Sequence, residues 1–498
     1  MNKVYLVGAG PGDPELITVK GQRVLQLADC VLYDHLASSS LLQHAPPGAE
    51  RIYVGKRKSA HSHKQEEITE MMIERARRGQ NVVRLKGGDP YIFGRGGEEV
   101  EALAEAGIAF EVVPGVTSPL GIAAYTGVPL THREHTSVVT FVTGHDVGGI
   151  DWKRIGVSET LVIFMGVHFV VDIVRELLAS GRSPSTPAMC VRWGTRPDQL
   201  TVQGTLASLP RLVQEAGLKP PATMIIGDVV LLRKKLDWFE HLPLFGQRIV
   251  VTRSASQAGE LSSLLREQAA DVVEVPVIAL EPLDDYTELD AAIRALETYS
   301  WLIFTSTNAV EFFLARLKAC GRDFRAIRGL LCAIGDATRR ALEQAGLIVD
   351  LQPAEAVSES VVEAFAGHSL DGAKVLLPRA SAAREVIPEA LRAAGADVHV
   401  VDAYRNVIPP NAEALAQEVF DGSPKPDWVI FTSSSTVKNL VALVGRDRLE
   451  GVRVASIGPI TSNTARMHGL AVEVEAAEAT MRALVGGIVA ACSPDYQI

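Results

Sequence analysis

Short apolar runs alternate with segments of helical periodicity along the first part of the chain. Such runs are typical of buried strands, whereas an apolar residue every three or four positions marks one face of a helix. Their alternation predicts an α/β protein with mostly parallel sheets, because parallel strands are joined by helical crossovers. The segments are VYLVGAG at 4–10, QRVLQLA at 22–28, CVLYDHL at 30–36, QEEITEMMIERARRGQ at 65–80 and VVRLKGGDP at 82–90.

The pattern breaks near residue 245 and then repeats itself. The stretch LDWFEHLPLFGQRIVVTR at 236–253 passes through aromatic and proline residues before a new apolar run begins, which predicts a domain boundary. A repeat of about 125 residues follows, and a repeat of this length predicts two similar α/β lobes. Residues 248–282 are echoed by 374–410, 301–314 by 428–441 and 332–353 by 455–476.

Polar residues follow the strands at matching places in both repeats. Ligands bind at the carboxyl ends of parallel strands, where helix N-termini offer N–H groups. Serine and threonine also cap helices for purely local reasons, so one such turn would mean little, but two matching sets indicate a cleft with two facing walls. The residues are Thr305, Ser306, Asn308, Thr338, Thr432, Ser433, Ser434, Thr461 and Thr464.

Composition narrows the class of protein. A chain of 498 residues is too long for one hydrophobic core. Its net charge of −10 speaks against a nucleic-acid partner, and the absence of a long apolar run speaks against membrane spans. Five scattered cysteines without CxxC spacing indicate neither a metal site nor a disulfide framework. We therefore expect a soluble, cytoplasmic protein without an export signal.

One basic stretch stands out against the acidic net charge. GKRKSAHSHK at 55–64 crowds six basic side chains into a polar segment without a helical apolar stripe. It is compatible with an anion-binding segment and equally with a solvated loop.

The first strand runs into a glycine-rich turn that a dinucleotide-binding fingerprint does not explain. Gly8 and Gly10 fit that fingerprint, but Asp13 stands where its third glycine belongs. Two further glycine and proline turns follow strands at 82–99 and 112–133. Three open turns of this kind predict an extended site in which the backbone approaches a large flat ligand.

Two families are similar to this chain. The motifs GAGPGDPELIT, GKR, RLKGGDPYIFGRGGEE, PGVTS, GVPLTHR, VTGH and PATMIIGDVV resemble the tetrapyrrole methylases, specifically uroporphyrinogen-III C-methyltransferases, over residues 3 to about 240. The duplicated half resembles the uroporphyrinogen-III synthases over 247 to about 490, by its Thr-Ser strand ends, its AIG and SIG turns and DAYRN.

The resemblance implies an α/β fold with a two-lobed tetrapyrrole methylase domain followed by a bilobal, duplicated, flavodoxin-like synthase domain. The methylase would span 1–244, with lobes 1–114 and 115–243. The synthase would span 246–498, with lobe one formed by 246–283 plus 408–498 and lobe two by 284–407. Paired linkers containing VPVIALEPLDD and DAYRNVIPPN would cross between these synthase lobes.

The methylase resemblance implies S-adenosylmethionine as cofactor, bound between the two lobes. Asp89 would accept hydrogen bonds from it, and Met165 and Ala222 would flank its adenine. Without the resemblance, Met165 reads as a core residue of the strand TLVIFMG. The implied cofactor-binding residues are Pro11, Gly87, Gly88, Asp89, Ile92, Thr117, Ser118, Met165, Gly194 and Ala222.

Methyl transfer to a pyrrole carbon also calls for a base, because a proton must leave the ring system. The resemblance implies Asp34 as proton acceptor and Lys56 as donor. Asp34 at a strand end is also a common helix cap, and Lys56 could instead pair with the acetate and propionate groups of the substrate. The chain departs from the common YDRL pattern in having His35. Candidates for binding the carboxylates of the tetrapyrrole are Arg57, His61, Lys64, Arg95 and Arg133.

The synthase resemblance implies ring closure of hydroxymethylbilane with inversion of its last pyrrole, which needs no cofactor. Tyr404 would assist loss of the hydroxyl group, or would equally serve as a linker aromatic whose hydroxyl has a hydrogen-bond partner. Arg253, Arg379, Lys438 and the strand-end hydroxyls would bind carboxylates. Together the halves imply an enzyme that makes precorrin-2, dimeric through its methylase domain. Three alternatives remain: a methylase fused to a sensory module, a methylase of a later corrin, and an inactive synthase half.

Overall fold

The computed structural model describes residues 3–55, 64–254, 258–353, 363–365, 368, 370–381 and 386–493. The chain forms two compact units, residues 1–248 with 264–272 and 489–498, and residues 249–263 with 273–488. None of the helices in the described part of the chain combines the length and the apolar character needed to cross a membrane. The expectation of an α/β fold is confirmed, since the described residues form four five-stranded sheets together with many helices.

The first sheet is wholly parallel and lies in the first unit. Its strands are β1 (Val4–Gly8), β2 (Cys30–Tyr33), β3 (Glu50–Tyr53), β4 (Val82–Lys86) and β5 (Phe110–Val113), in the order β3-β2-β4-β1-β5. Val82 and Val83 are both fully buried although neighbouring strand residues point to opposite faces. Both faces are therefore covered, as parallel sheets require. The helices are α1 (Val19–Leu25), α2 (Gln65–Arg77) and α3 (Gly96–Glu105).

The second sheet is mixed, which differs from the expectation of mostly parallel sheets. Its strands are β6 (Val139–Thr143), β7 (Thr160–Phe164), β8 (Pro187–Arg192), β9 (Leu200–Thr205) and β10 (Ala222–Ile226), in the order β6-β7-β10-β8-β9. Only β6 and β7 pair in parallel. The loop 193–199 between β8 and β9 is too short for a helical crossover, so these strands form an antiparallel hairpin.

Five helices accompany the second sheet. Gly127, with φ of 67°, ends the first of them in the left-handed conformation that glycine adopts without strain. The helices are α4 (Ser118–Thr126), α5 (Trp152–Ile155), α6 (Val170–Ala179), α7 (Leu209–Glu215) and α8 (Arg233–Leu236).

The second half of the chain forms the third and fourth sheets, and each of these sheets contains strands from both repeats. The third contains β11 (Arg248–Val251), β12 (Asp271–Glu274), β18 (Trp428–Phe431), β19 (Arg453–Ser456) and β20 (Val472–Glu475), in the order β12-β11-β18-β19-β20. The fourth contains β13 (Ala279–Glu281), β14 (Trp301–Phe304), β15 (Leu330–Ala333), β16 (Lys374–Ala380) and β17 (Asp397–Val407), in the order β13-β17-β16-β14-β15.

Strand β17 includes the start of one predicted linker, DAYRNVIPPN, and pairs with part of the other, VPVIALEPLDD. Its first part pairs in parallel with β16, and its last three residues pair antiparallel with β13. Ala279–Glu281 therefore belongs to the fourth sheet. The helices are α9 (Gly259–Glu267), α10 (Thr287–Arg294), α11 (Thr307–Ala319), α12 (Asp336–Gln344), α13 (Val386–Ala393), α14 (Ala412–Asp421), α15 (Ser434–Val444), α16 (Pro459–Met467) and α17 (Met481–Cys492).

Candidate functional site

The three glycine-rich turns of the first sheet meet at its carboxyl edge. Gly10 and Gly88 exchange backbone hydrogen bonds, at 2.7 Å from the Gly88 N–H and 3.3 Å from the Gly10 N–H. A Cβ on Gly8 would lie 2.5 Å from Gly115 Cα and 2.7 Å from the Gly88 carbonyl oxygen. A side chain at Gly8 cannot be accommodated here, so glycine is what lets the turns approach.

Asp13 explains why the first turn departs from a dinucleotide fingerprint. Its backbone N–H donates to Thr195 Oγ1 at 2.9 Å, and its carboxylate accepts from the Tyr125 hydroxyl and from the Glu15 N–H. Burial raises the pKa of Tyr125, and the neighbouring Asp13 carboxylate adds to the shift, so the phenol stays protonated and donates. Asp13 thus ties the turn after β1 to α4 and to the loop after β8.

Loops that follow strands of the first and second sheets contain non-glycine residues with positive φ. Met165 after β7 and Trp193 and Thr195 after β8 have φ of 55°, 50° and 71°. Phe93 and Arg95, after β4, have φ of 52° and 59°. Such values are costly for residues other than glycine and concentrate at functional sites. Five of the six strained non-glycine residues in the described chain follow strands of the first unit.

Several apolar side chains of this region are exposed, and two of them are candidates for contact with the cofactor. Met165 is 50% exposed and Ile92 is 38% exposed. Phe93 and Phe164, their chain neighbours, pack edge to face with ring centroids 4.8 Å apart, which brings the two loops together. Met165 is therefore not the core residue that the strand pattern alone suggested. Exposed apolar side chains of this kind fit the flat face of a nucleobase.

The remaining residues that the resemblance assigns to the cofactor lie at these strand ends or begin a strand. Pro11 packs against Gly121 and Gly194 against Ile122, both on α4. Thr117 occupies the position before α4, whose first residue is Ser118, and Ala222 begins β10. The Asp89 carboxylate accepts from the N–H groups of Tyr91 at 2.8 Å and Gly115 at 3.0 Å. Asp89 therefore fastens the turn after β4 to the turn after β5.

A largely buried group of charges adjoins these turns, and Asp34 is its only member that the sequence had indicated. We call Asp34, Arg84, Lys86 and Glu99 the buried charge network. Arg84 and Lys86 are 4% exposed, and Glu99 is fully buried. The Arg84 guanidinium donates to Asp34 Oδ2 at 2.9 Å and lies 3.4 Å from Glu99 Oε1, while Lys86 Nζ lies 3.0 Å from Glu99 Oε1.

The local sequence explains how this network forms. Arg84 and Lys86 continue the face of β4 that Val82 begins, because alternate strand residues share a face. Glu99 lies in the first turn of α3, where a carboxylate is favoured by the helix dipole. Burial lowers the pKa of Lys86, with the Arg84 charge acting in the same direction and Glu99 against it. Two cations at alternate positions of an apolar strand were the available signal in the sequence.

The proposed substrate-binding basic residues are spread over several loops. Lys56, Arg57 and His61 lie outside the described residues. Lys64 precedes α2 and is exposed. Arg95 precedes α3 and pairs with Glu98 at 3.1 Å, and Arg133 is exposed.

Two further groups of side chains lie in loops of the first unit. His35, which replaces the common arginine, packs edge to face with Trp193 at 5.3 Å between ring centroids. His132, Glu134 and His135 place one ligand atom each within 4.8 Å of one another. Partly exposed clusters of this kind are common without a metal, so this one by itself indicates no metal site.

In the fourth sheet, the structure brings Tyr404 and Ser306 together. Tyr404, on β17, is 5% exposed, and its hydroxyl lies 3.3 Å from Ser306 Oγ after β14. Its ring stacks on Phe312 at 5.0 Å between centroids. Thr305 lies beside Ser306, and Asn308 lies in the first turn of α11. Thr338 is 3% exposed on α12, and Arg379 lies on β16.

The third sheet carries the matching polar residues. Ser433 caps α15 by accepting from the Thr436 N–H, just as Ser306 caps α11 by accepting from the Ala309 N–H. The local capping role is thus present in both repeats. Thr464 donates to Ser434 Oγ at 2.8 Å, Thr432 follows β18, and Lys438 is exposed. Thr461 is 5% exposed, and Arg253 Nη1 lies 3.4 Å from Met481 Sδ.

Comparison with known proteins matches two family models to this chain. Tetrapyrrole (Corrin/Porphyrin) Methylases match residues 3–210, and Uroporphyrinogen-III synthase HemD matches residues 259–486. The chain is 36% identical over 474 residues to the porphyrin biosynthesis protein HemD of Ruminiclostridium josui, a match that covers 94% of each chain. It is 40% identical to the uroporphyrinogen-III C-methyltransferase of Bacillus subtilis (strain 168), covering 70% of this chain and 73% of that protein.

A solved structure is similar to the first half. The uroporphyrin-III C-methyl transferase of Thermus thermophilus complexed with S-adenyl homocysteine shares 44% identity, with a TM-score of 0.41, covering 46% of this chain and 100% of that chain. By its full-length relative and both family models, the chain belongs to the family of porphyrin biosynthesis proteins that join a tetrapyrrole methylase to a uroporphyrinogen-III synthase.

Proposed function

We propose that the chain is a bifunctional enzyme that makes precorrin-2. Its second half closes hydroxymethylbilane to uroporphyrinogen III, inverting the last pyrrole ring and releasing water. Its first half methylates that product twice. The observation that carries the proposal is the match of both family models within one chain, because the product of the synthase is the substrate of the methylase.

In the methylase half, the turns at the strand ends hold S-adenosylmethionine. Bound there, this cofactor supplies a methyl group on a positively charged sulfur. The exposed apolar side chains of Met165 and Ile92 fit its adenine, together with Ala222. The close-packed turns carrying Pro11, Gly88 and Thr117 offer backbone groups to its polar parts. Gly87, Asp89, Ser118 and Gly194 complete this set.

Asp34 accepts the proton that the ring system loses after its carbon gains the methyl group. The carboxylate lies at the end of β2 and its side chain is 23% exposed, so it is open to substrate and solvent. Arg84 donates to one oxygen and the Leu36 N–H to the other, at 2.9 and 3.0 Å. Lys56 is the proposed proton donor. Positive charges of Arg57, His61, Lys64, Arg95 and Arg133 balance the carboxylates of the substrate.

In the synthase half, the protein folds a flexible linear substrate so that its ends meet, and the substrate supplies its own leaving group. Tyr404 donates a hydrogen bond to the departing hydroxyl, and Ser306 beside it orients the phenol. Arg253, Arg379 and Lys438 bind carboxylates, together with Thr305, Asn308, Thr338, Thr432, Ser433, Ser434 and Thr461. We further propose that the enzyme acts in the cytoplasm as a homodimer through its methylase half, without a nucleic-acid or membrane partner.

Two separate assays on the full chain test this proposal. With uroporphyrinogen III and S-adenosylmethionine, we expect two methyl groups per product molecule, and no methylation would overturn the methylase half. With hydroxymethylbilane alone, we expect the type III isomer. Formation of only the type I isomer, which the bilane gives spontaneously, would overturn the synthase half and favour a sensory module in its place.

A further inference from the structure

Glu99 sits at the centre of the buried charge network. Its side chain is fully buried, and Oε1 accepts from Gln65 Nε2 at 2.7 Å as well as from Lys86 and Arg84. A buried carboxylate is costly unless its partners are fixed in good geometry. The three donors come from α2 and β4, while Glu99 itself belongs to α3. Glu99 therefore fixes the side chains of three elements relative to one another.

Arg84 links Glu99 to Asp34, because its guanidinium contacts both carboxylates. Its Nε faces Glu99, its Nη2 donates to Asp34, and its Nη1 donates to the Leu85 carbonyl at 3.0 Å. The guanidinium is planar and rigid, so fixing one edge fixes the direction of the others. The Asp34 carboxylate is consequently held at one oxygen by Arg84 and at the other by the Leu36 N–H.

We propose that Glu99 and Arg84 are positioning residues for methyl transfer, with Glu99 orienting the guanidinium that aims the Asp34 carboxylate at the substrate. This inference rests on the proposed methylase function and on Asp34 as proton acceptor. In the step concerned, a carbon–carbon bond to the methyl group forms and the carbon–sulfur bond breaks, its electron pair staying on sulfur. The substrate then loses one proton to Asp34, which passes it to solvent. Arg84 keeps its charge throughout.

A double-mutant cycle of Arg84→Gln and Asp34→Asn on the full-length enzyme tests the inference. Arg84→Gln is expected to lower kcat for methylation about 10- to 100-fold, below the roughly 10²- to 10⁴-fold that a full acid–base group contributes. Its affinity for S-adenosylhomocysteine should change less than about threefold. In the Asp34→Asn background the same change should lower kcat less than about threefold, because its effect passes through Asp34.

A second variant keeps the test informative if Arg84→Gln does not fold. Glu99→Gln keeps the volume and an acceptor for Gln65 while removing the charge, and it should lower kcat about three- to tenfold, again only when Asp34 is present. Arg182→Gln is the matched control: this arginine lies outside the network and donates to the carbonyls of Gly156 and Ser158 at 3.1 and 2.7 Å, so thermal stability should fall while kcat changes less than about threefold.

The outcomes distinguish failure of the positioning role from failure of the proposed methylase function. If the wild type transfers no methyl group, the proposed methylase function fails and the inference with it. If Asp34→Asn leaves kcat unchanged, the function stands, but the role of Asp34 as proton acceptor fails and the inference with it. If Asp34→Asn is impaired but Arg84→Gln and Glu99→Gln are not, the positioning role alone is overturned. The same holds if the losses multiply in the double variants, because the network then acts on the fold and not through Asp34.

Discussion

The side-chain oxygen of Thr195 accepts a hydrogen bond from the backbone N–H of Asp13 at 2.9 Å, joining the loop after β8 to the turn after β1. These residues are far apart in the sequence and belong to different sheets of the first unit. The proposed cofactor-binding residues Pro11 and Gly194 flank this bond. The contact therefore controls how two walls of the proposed site are placed.

Replacing Thr195 by valine removes this acceptor at nearly constant volume. We expect the stability of the variant to fall by about 1–3 kcal/mol, because a partly buried N–H loses its partner. Affinity for S-adenosylhomocysteine should fall about three- to tenfold, measured by isothermal titration calorimetry. Thr298→Val, at an exposed turn of the second unit, is the control. Unchanged affinity in Thr195→Val would show that this bond does not shape the site.

Gly8 and Gly97 form a matched pair of glycines. A Cβ on Gly8 would lie 2.5 Å from Gly115 Cα, whereas nothing lies within 4 Å of a Cβ on Gly97. Gly8→Ala should abolish binding of S-adenosylhomocysteine and lower the melting temperature, because the turns must move apart. Gly97→Ala, in the first turn of α3, should be neutral or stabilising by up to about 1 kcal/mol. Similar binding by both variants would contradict the close packing.

Acid should remove the contribution of one ion pair to stability. Arg75 donates to both oxygens of Glu50, at 2.9 and 3.0 Å, and these hydrogen bonds hold the pKa of Glu50 below its ordinary value of 4.5. The unfolded state binds the proton more readily. The contribution is therefore complete above about pH 4.5 and is lost as pH falls through the lower folded-state pKa.

Glu50→Gln tests this pH dependence. Because Glu50 is about half exposed, the variant should lose less than about 1 kcal/mol at pH 7. The difference in melting temperature from wild type should close as pH is lowered from 6 to about 3. Glu70→Gln, an exposed position on α2, should show no such closing difference. A constant difference between Glu50→Gln and wild type would contradict the assigned cause.

Tyr404 and Tyr299 offer a comparison within one core of the fourth sheet. The Tyr404 hydroxyl faces Ser306, whereas the Tyr299 hydroxyl lies 2.5 Å from His399 Nδ1. Tyr404→Phe should lower formation of the type III isomer from hydroxymethylbilane by about 10- to 100-fold, as loss of a proton donor predicts. Tyr299→Phe should affect stability only. Equal activities of the two variants would leave Tyr404 as a packing residue.

The order of elements and the repeat were predictable because they are local properties of the chain. The caps Ser306 and Ser433 fall at equivalent places, as the sequence comparison of the repeats indicated. The direction of β9 was not predictable, since an apolar run is compatible with either pairing. What fixes it is the short loop before it, 193–199.

The site was predictable in its turns and not in its supporting contacts. Glycine and proline mark the turns because they permit unusual backbone conformations. The strain at Met165 and the hydrogen bond from the Gly115 N–H to Asp89 depend on packing between distant segments. The same is true of Glu99, whose partners Gln65 and Arg84 are brought to it by folding.

The most direct test of the account follows both reactions in one vessel. Purified full-length protein is given hydroxymethylbilane and methyl-labelled S-adenosylmethionine, and the products are separated by isomer and by mass. We expect a type III tetrapyrrole that carries two labelled methyl groups. An unlabelled type I product as the sole outcome would contradict this expectation.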